Sequence, residues 1–382
     1  MDVFHRPELA QELALRLLDP PPASAVGSGL FLAAPRRTGK STFLVADLVP
    51  ALETAGARPL YVDLWRDIDR DAAEVIVAAV AAALAAEKGA LARVLAALRG
   101  IESVSAGGVF AVSVKRPDGG VVDVSLTDAL LALSEETERT IVLIVDEAQH
   151  AITTEAGTKA LFALKAARDA LNIGRPHGLR IVATGSNRDK LAMLRGSKEQ
   201  AFFGAPLTSF PPLGADYVRW FVERRSLGDV LDVDETTRWF ERAGHRPEIL
   251  AAAADAVLYE IGGERATVPE RIEAAMEAEV RASDEVQMRV VRSLTALQSA
   301  VLREMASSGP DYAPFEDATM ARYAKTMKRI APKSDVVPGD ANVQSALASL
   351  QKRGLVWRAA RGAYALEDSR LVELMREDGM ID

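Results

Sequence analysis

Gly29-Leu-Phe-Leu-Ala-Ala34-Pro-Arg-Arg-Thr-Gly39-Lys40-Ser41-Thr42 is the stretch that decides the fold. Its first half, Gly29 to Ala34, is a short apolar run suited to a buried strand. A tight turn follows, and then a helix expected from Lys40 to about Ala55. Glycine at position 39 lets the backbone pass close to a bound phosphate, with successive N–H groups turned inward. The helix N-terminus behind the turn adds a favourable dipole for an anion. Lys40 brings positive charge to the β- and γ-phosphates of a nucleotide, and the Ser41 hydroxyl is placed to ligate Mg²⁺. The spacing Ala34-x4-Gly39-Lys40-Ser41 is that of a P-loop, with alanine where the pattern begins with glycine. A methyl is tolerable there, at the strand exit. A chance Gly-Lys-Ser turn is the competing reading, and the strand–turn–helix setting argues against it. The cradle is then Pro35, Arg36, Arg37, Thr38, Gly39, Lys40, Ser41 and Thr42, with ATP and Mg²⁺ as ligands. Arg36 and Arg37 either hold phosphate or lie on a solvated loop.

Working outward, the apolar run Val142 to Val145 ends in Asp146-Glu147. Acids at the tip of a strand next to the P-loop strand suit two tasks: Asp146 binds Mg²⁺ through water, and Glu147 orients and polarises the attacking water. Taken alone, Asp146 would read as an N-cap. A further strand, Leu179 to Thr184, ends in the run Thr184-Gly185-Ser186-Asn187, where a polar side chain, Ser186 or Asn187 among them, can reach the γ-phosphate or the lytic water. Ordinary turn chemistry is the alternative for that pair. Gly244-His-Arg-Pro247 joins two expected helices, either as a plain stop and restart or as a junction held over the nucleotide.

Strands alternating with helices as far as Pro212 predict an α/β unit built on a parallel sheet. Val109–Val114 and Val121–Leu126 alternate around Pro117-Asp-Gly-Gly120, predicting a β-hairpin inserted at about 108–126. An alanine-rich helix is expected from Arg70 to Leu98. From Ala215 the pattern is helical, and a second change falls near Leu294. Three helices and two short strands around Arg361-Gly362 then describe a winged helix. The division expected is 1–212 core, 213–290 helical lid and 291–382 winged helix.

Composition narrows the chemistry further. With 382 residues, two or three units are expected. The chain has no cysteine and four histidines, which removes disulfides, thiol nucleophiles, iron–sulfur clusters and zinc ribbons. A net charge of −8 means that any nucleic-acid contact is local. No apolar run reaches membrane-spanning length, and the charged opening MDVFHRPELAQEL lacks the apolar centre of a signal peptide. A cytoplasmic chain without a membrane partner is expected.

Pro35-Arg-Arg-Thr-Gly-Lys-Ser-Thr42, Asp146-Glu-Ala-Gln149, Ala183-Thr-Gly-Ser186 and Gly244-His-Arg-Pro247 together resemble the archaeal-type branch of the STAND ATPases, relatives of AAA+ proteins. The opening Phe4-His-Arg6-Pro-Glu8-Leu9 is similar to the box that precedes the P-loop in that family and packs near adenine. The resemblance covers residues 3–290 and implies an α/β ATPase core, a lid carrying Pro247, contact of Arg6 with the nucleotide region, and a nucleotide-switched activity. Ala205 stands where the family's stretch ending in Gly-Arg carries arginine, so a finger at that position is absent; Arg188 and Arg195 are the candidates to replace it.

The function expected is an ATP-hydrolysing switch that acts through its winged helix. The alternatives are a replication- or transposition-type loader that oligomerises on DNA, with an ATP-dependent homo-oligomer as its working form, and a nucleotide-binding regulator with negligible turnover. Residues 320–361 hold nine basic side chains and two acids, a net of +7, which suits double-stranded DNA as the partner; the alternative is a winged helix used for protein contact or oligomer packing, with its basic residues solvated or paired to the acidic remainder. The expected recognition helix is Val343–Arg353, its exposed face mostly Asn342, Gln344, Ser345 and Ser349 with charge only at Lys352 and Arg353, and the expected wing presents Trp357, Arg358 and Arg361.

Overall fold

The computed structural model describes residues 2–66, 69–87, 89, 111–115, 121–196, 200–261, 264–360 and 363–381. It divides into two compact units, residues 1–35 with 39–210 and residues 36–38 with 211–382.

The first unit is a five-stranded parallel sheet. Its strands are β1 (Leu30–Ala33), β2 (Arg58–Asp63), β5 (Ile141–Asp146), β6 (Leu179–Gly185) and β7 (Leu207–Ser209), in the order β2-β5-β6-β1-β7. Every residue of β1 and of β5 is buried, as apolar strands covered on both faces should be. On one face, Ala10, Ala14 and Leu17 of the helix Pro7–Leu18 pack with Phe43, Leu44, Leu48 and Leu52 over Leu30, Leu32, Val142, Ile144 and Val182. The helices Ala72–Ala86 and Leu126–Thr137 pack on β2 and β5. β7 is an edge strand that the sequence reading passes over, because three residues with two exposed side chains carry no pattern.

The order corrects one expectation. β6 lies between β1 and β5, so the strand carrying Asp146 is not the neighbour of the P-loop strand.

The expected helix from Lys40 is present but not regular. Lys40–Phe43 and Val49–Thr54 are α-helical, and Leu44–Leu48 between them is a π-helix. Pro50 explains it. The residue has no N–H to give the carbonyl of Ala46 and its ring presses on that carbonyl, so the backbone widens by one residue just before it. β3 (Ala111–Lys115) and β4 (Val121–Ser125) pair antiparallel as the expected hairpin. The hairpin's ends at 108–110, its turn Pro117–Gly120, and the alanine-rich helix beyond 89 lie outside the described residues.

The second unit is mostly helical. Ala215–Arg224, Val233–Arg242 and Pro247–Leu258 are followed by the long helix Val268–Arg292, which packs on Pro247–Leu258. The far end of that long helix gives Met288 and Val291 to the apolar core built by Ala296–Ser308, Asp317–Ile330, Asp340–Lys352 and Arg370–Glu377. Between the last two helices, β8 (Val356–Ala360) and β9 (Ala363–Leu366) form an antiparallel pair. Among the described residues, no helix is long and apolar enough to cross a membrane.

Candidate functional site

The turn after β1 has the backbone a phosphate cradle needs. Arg37 and Gly39 both have positive φ, +63° and +80°, and such residues alternating with ordinary ones turn consecutive N–H groups to one side. Glycine takes this conformation freely, whereas at Arg37 it costs about 1–2 kcal/mol. Pro35, Arg36, Arg37, Ser41 and Thr42 are exposed and Thr38 is buried.

Lys40 is buried, and its ammonium lies 2.8 Å from Asp146 Oδ1 and 2.8 Å from Glu147 Oε1. Consecutive strand residues point to opposite faces, so Asp146 and Glu147 would not ordinarily meet one cation. Glu147 does so because its backbone is left-handed, φ +53° and ψ +42°, just past the end of β5. That turn swings its carboxylate back beside Asp146. Ser41 Oγ donates to Asp146 Oδ2 at 2.6 Å, the Tyr61 hydroxyl donates to the same oxygen at 3.1 Å, and Thr184 Oγ1 donates to Asp146 Oδ1. Burial by itself would raise the Asp146 carboxyl. The Lys40 ammonium and the hydroxyls of Ser41 and Thr184 outweigh it and hold the group below the ordinary carboxylate range. Glu147 is likewise held low against burial, by Lys40 and by Gln149. Burial and the Asp146 charge push the Tyr61 phenol far up, so it remains a donor. Both acids are therefore ionised at neutral pH, opposite one ammonium.

These groups fit a Mg²⁺–nucleotide. Ser41 and Asp146 present hard oxygens side by side, and Mg²⁺ bound with phosphates takes only one or two protein ligands. Among the described residues no group of three or more His, Cys, Asp or Glu is arranged to hold a metal alone. The ion would thus depend on phosphate oxygens for the rest of its shell.

Of the two polar residues after β6, Ser186 reaches the site, with Oγ 3.1 Å from Glu147 Oε2. Asn187 is buried, and its Oδ1 accepts from the N–H groups of Asp189 and Lys190 as the N-cap of the helix Arg188–Ala192. Its oxygen does what turn chemistry predicted. Arg6 stacks its guanidinium 5.1 Å from the Phe210 ring, which lies 5.0 Å from Phe43 on the helix that follows the P-loop. Asp47, on the inner side of the π-helical turn, accepts from His5 Nδ1 at 2.6 Å and from the Arg6 backbone N–H at 3.1 Å. Pro247 opens the helix Pro247–Leu258, and Gly244 and His245 before it both have positive φ, while His245 Nδ1 lies 2.8 Å from the Leu213 carbonyl.

Tyr61, Gln149 and Asp47 are contacts that the sequence does not assign, while within the run Thr184-Gly185-Ser186-Asn187 it is Thr184 and Ser186 that reach the acids. Gln149 was within reach, since it falls in the quoted Asp146-Glu-Ala-Gln run. Asp47 was not, because nothing in its neighbours announces an inward turn. Ala205 is fully buried, which closes the position where an arginine finger would stand, whereas Arg188 is exposed and lies 3.4 Å from both Ser209 Oγ and the Leu207 carbonyl at the sheet edge.

No protein-family model matches the chain, and no curated protein matches it. Solved structures share its fold along almost the whole length. The Walker-type ATPase PABY2304 of Pyrococcus abyssi superposes with a TM-score of 0.50 at 16% identity, covering 98% of this chain and 96% of that one. The ORC2 protein of Aeropyrum pernix in its ADP form does so with a TM-score of 0.54 at 14% identity, covering 99% and 96%. The fold is the parallel-sheet α/β architecture of P-loop NTPases, with a helical C-terminal region.

Proposed function

We propose that the chain is an ATP-hydrolysing molecular switch of the AAA+ and STAND kind. The observation that carries this is the meeting of Lys40, Ser41, Asp146 and Glu147 at the carboxyl end of the sheet, made possible by the left-handed backbone of Glu147. In this reading the backbone of 35–42 and the Lys40 ammonium bind the β- and γ-phosphates. Ser41 and Asp146 hold Mg²⁺, which neutralises phosphate charge when bound. Glu147 takes a proton from the attacking water, and Ser186 steadies both. Arg6 closes the base end of the site, and 213–290 serves as a lid with Pro247 at its junction. The ADP form of the Aeropyrum protein is in keeping with nucleotide binding by this fold.

Steady-state hydrolysis by wild type and Glu147→Gln tests the proposal. The amide keeps shape and ATP binding but cannot accept the proton, so turnover should drop by two orders of magnitude or more, as loss of a general base does. Equal turnover in the two proteins would move the catalytic role elsewhere. Wild-type binding without turnover would favour the regulator.

For the output end we propose residues 291–382 as a winged helix that contacts duplex DNA. Lys325, Lys328, Arg329, Lys333, Lys352, Arg353 and Arg358 are exposed. Three details differ from the expectation. Trp357 is buried and offers nothing to a groove. Asn342 is occupied as a cap, accepting from Gly339 N–H and donating to the Val337 carbonyl. Ser349 accepts from Gln298 Nε2. Gln344, Ser345, Lys352 and Arg353 are exposed on the expected recognition helix, although Gln344 Nε2 donates to the Tyr364 hydroxyl and the Arg353 guanidinium to Ser293 Oγ. Arg358 lies over the Tyr364 ring, and Arg361 lies outside the described residues.

A further inference from the structure

Gln149 is completely buried, two residues beyond Glu147, in the 3-10 turn Ala148–Thr153. Its Nε2 donates to Glu147 Oε2 at 2.5 Å, while its Oε1 is buried and has no hydrogen-bond partner among the described residues. An amide that leaves its acceptor unsatisfied in the interior forgoes about 1–3 kcal/mol. It does not turn over, because the flipped amide would set its oxygen against an ionised carboxylate. Gly185 supplies the space. A Cβ at that position would lie 2.3 Å from Gln149 Oε1 and 2.9 Å from the Leu191 side chain. No positive φ is involved at Gly185, so its reason to be glycine is room, not backbone conformation. The glycine after Thr184 and the glutamine after Asp146-Glu-Ala are thus two halves of one contact.

We propose that Gln149 is the positioning residue for the Glu147 carboxylate and that Gly185 exists to admit its amide; the proposal rests on the hydrolytic reading given above. The geometry is complementary. Lys40 holds Oε1 of Glu147 from one side, while Gln149 and Ser186 both donate to Oε2 from the other. Glu147 stands between the end of β5 and the 3-10 turn in a left-handed backbone, so the contacts of its carboxylate fix the direction of its side chain. Two donors on one oxygen direct the other at the cation and at whatever stands beside it. Loss of the Gln149 donor frees the carboxylate to rotate without touching the groups that bind phosphate.

Two measurements test this. The first needs no nucleotide: a double-mutant cycle with Gln149→Met and Glu147→Ala, read by hydrogen exchange over 141–152. Coupled groups give non-additive opening constants, with a discrepancy of at least fivefold expected. The second uses turnover. Gln149→Met should lower kcat by roughly 10- to 100-fold, the range a charge-assisted hydrogen bond commands, with KM and ADP affinity within twofold of wild type. Gly185→Ala should lower kcat similarly when Gln149 is present and by a smaller factor in a Gln149→Ala background, where the amide is gone and only the Leu191 side chain must give way. Additive opening constants overturn the proposal whether or not the protein hydrolyses ATP. A kcat within threefold of wild type in Gln149→Met overturns it where Glu147→Gln abolishes turnover. If Glu147→Gln leaves turnover intact, the hydrolytic reading fails instead, and the cycle alone decides the contact.

Discussion

Replacing Lys40 by methionine separates its work in folding from its work in binding. The side chain keeps its length, but one buried cation disappears from between the buried Asp146 and the part-buried Glu147. At 2.8 Å and an effective dielectric of about 20, each pair is worth roughly 6 kcal/mol before solvation is counted. Desolvation absorbs most of that, yet breaking a buried pair by removing one partner still costs about 3–5 kcal/mol, because a charge is left uncompensated. Here two are left, facing each other. The cost should depend on pH in a defined direction. In wild type the Asp146 and Glu147 carboxyls are held low, so their contribution is present above the ordinary carboxylate range near pH 4 and is lost as pH falls through their depressed values. In the mutant the Lys40 charge is gone and burial is opposed only by the hydroxyls of Ser41 and Thr184 and the Gln149 amide, so both carboxyls move up from their wild-type positions and the penalty present at neutral pH relaxes as pH falls towards 4. The gap between the two proteins should therefore be widest at pH 7.5 and narrow by pH 4.5. Urea titrations read by pulsed hydrogen exchange at Ile141–Asp146 report on the sheet alone. About 3–5 kcal/mol corresponds to a change of two to three and a half orders of magnitude in the unfolding constant at pH 7.5. ATP affinity should fall at least tenfold in the same protein. A stability difference under 1 kcal/mol at pH 7.5, or one that is the same at both pH values, would refute the reasoning about the buried triad. ATP affinity within threefold of wild type would remove Lys40 from the phosphate site.

Other outcomes follow from single contacts. Asp47→Ala removes the acceptor shared by His5 and the Arg6 N–H, so amide exchange over residues 5–9 should quicken about tenfold while β5 is unchanged; equal exchange would show that the π-helical turn does not pin the opening segment. Among the described residues no other residue hydrogen-bonds the two buried carboxylate oxygens of Glu248, and burial raises its pKa against its own backbone N–H and the charges of Arg246 and Arg37, so its ionised form weighs against folding above the ordinary carboxylate range. Glu248→Gln should raise the melting temperature at pH 8 and leave it unchanged at pH 4; a rise at both would mean that charge is not the cause. Arg358→Ala with Arg361→Ala should weaken duplex DNA binding and lower the log–log salt slope, each lost phosphate contact removing about 0.9, with ATP affinity unchanged. Absence of duplex binding at low salt, with and without ATP, would instead make the C-terminal region a protein-contact module.

What could be read from sequence and what could not divides along physical lines. The buried strands Leu30–Ala33, Ile141–Asp146 and Leu179–Gly185 are legible because a strand covered on both faces must be apolar throughout, and each ends at a chemical group the site needs. Lys40, Ser41, Asp146 and Glu147, which the structure brings together, stand out in the sequence because the expected phosphate cradle restricts residue type and spacing together. Strand order was not legible, since no local property of β6 says that it separates β1 from β5. Nor was the geometry that makes the site work. Asp146-Glu147 reads as two neighbouring acids. It takes the +53° φ of Glu147 to bring both to one ammonium, and a sequence pattern does not encode a strained backbone. Pro50 was visible, but its effect lies three residues earlier, at Asp47. The widened turn faces that acid inward, and the opening segment is tied to the P-loop helix by a side chain with no motif of its own. Gly185 is the sharpest case. Read along the chain it belongs to a turn, whereas in three dimensions its missing methyl is the space occupied by an amide 36 positions upstream, which in turn grips the acid beside Asp146. Contacts of that kind leave no period and no composition. They become readable only when the strands bearing the two halves are seen to be neighbours, as β5 and β6 are.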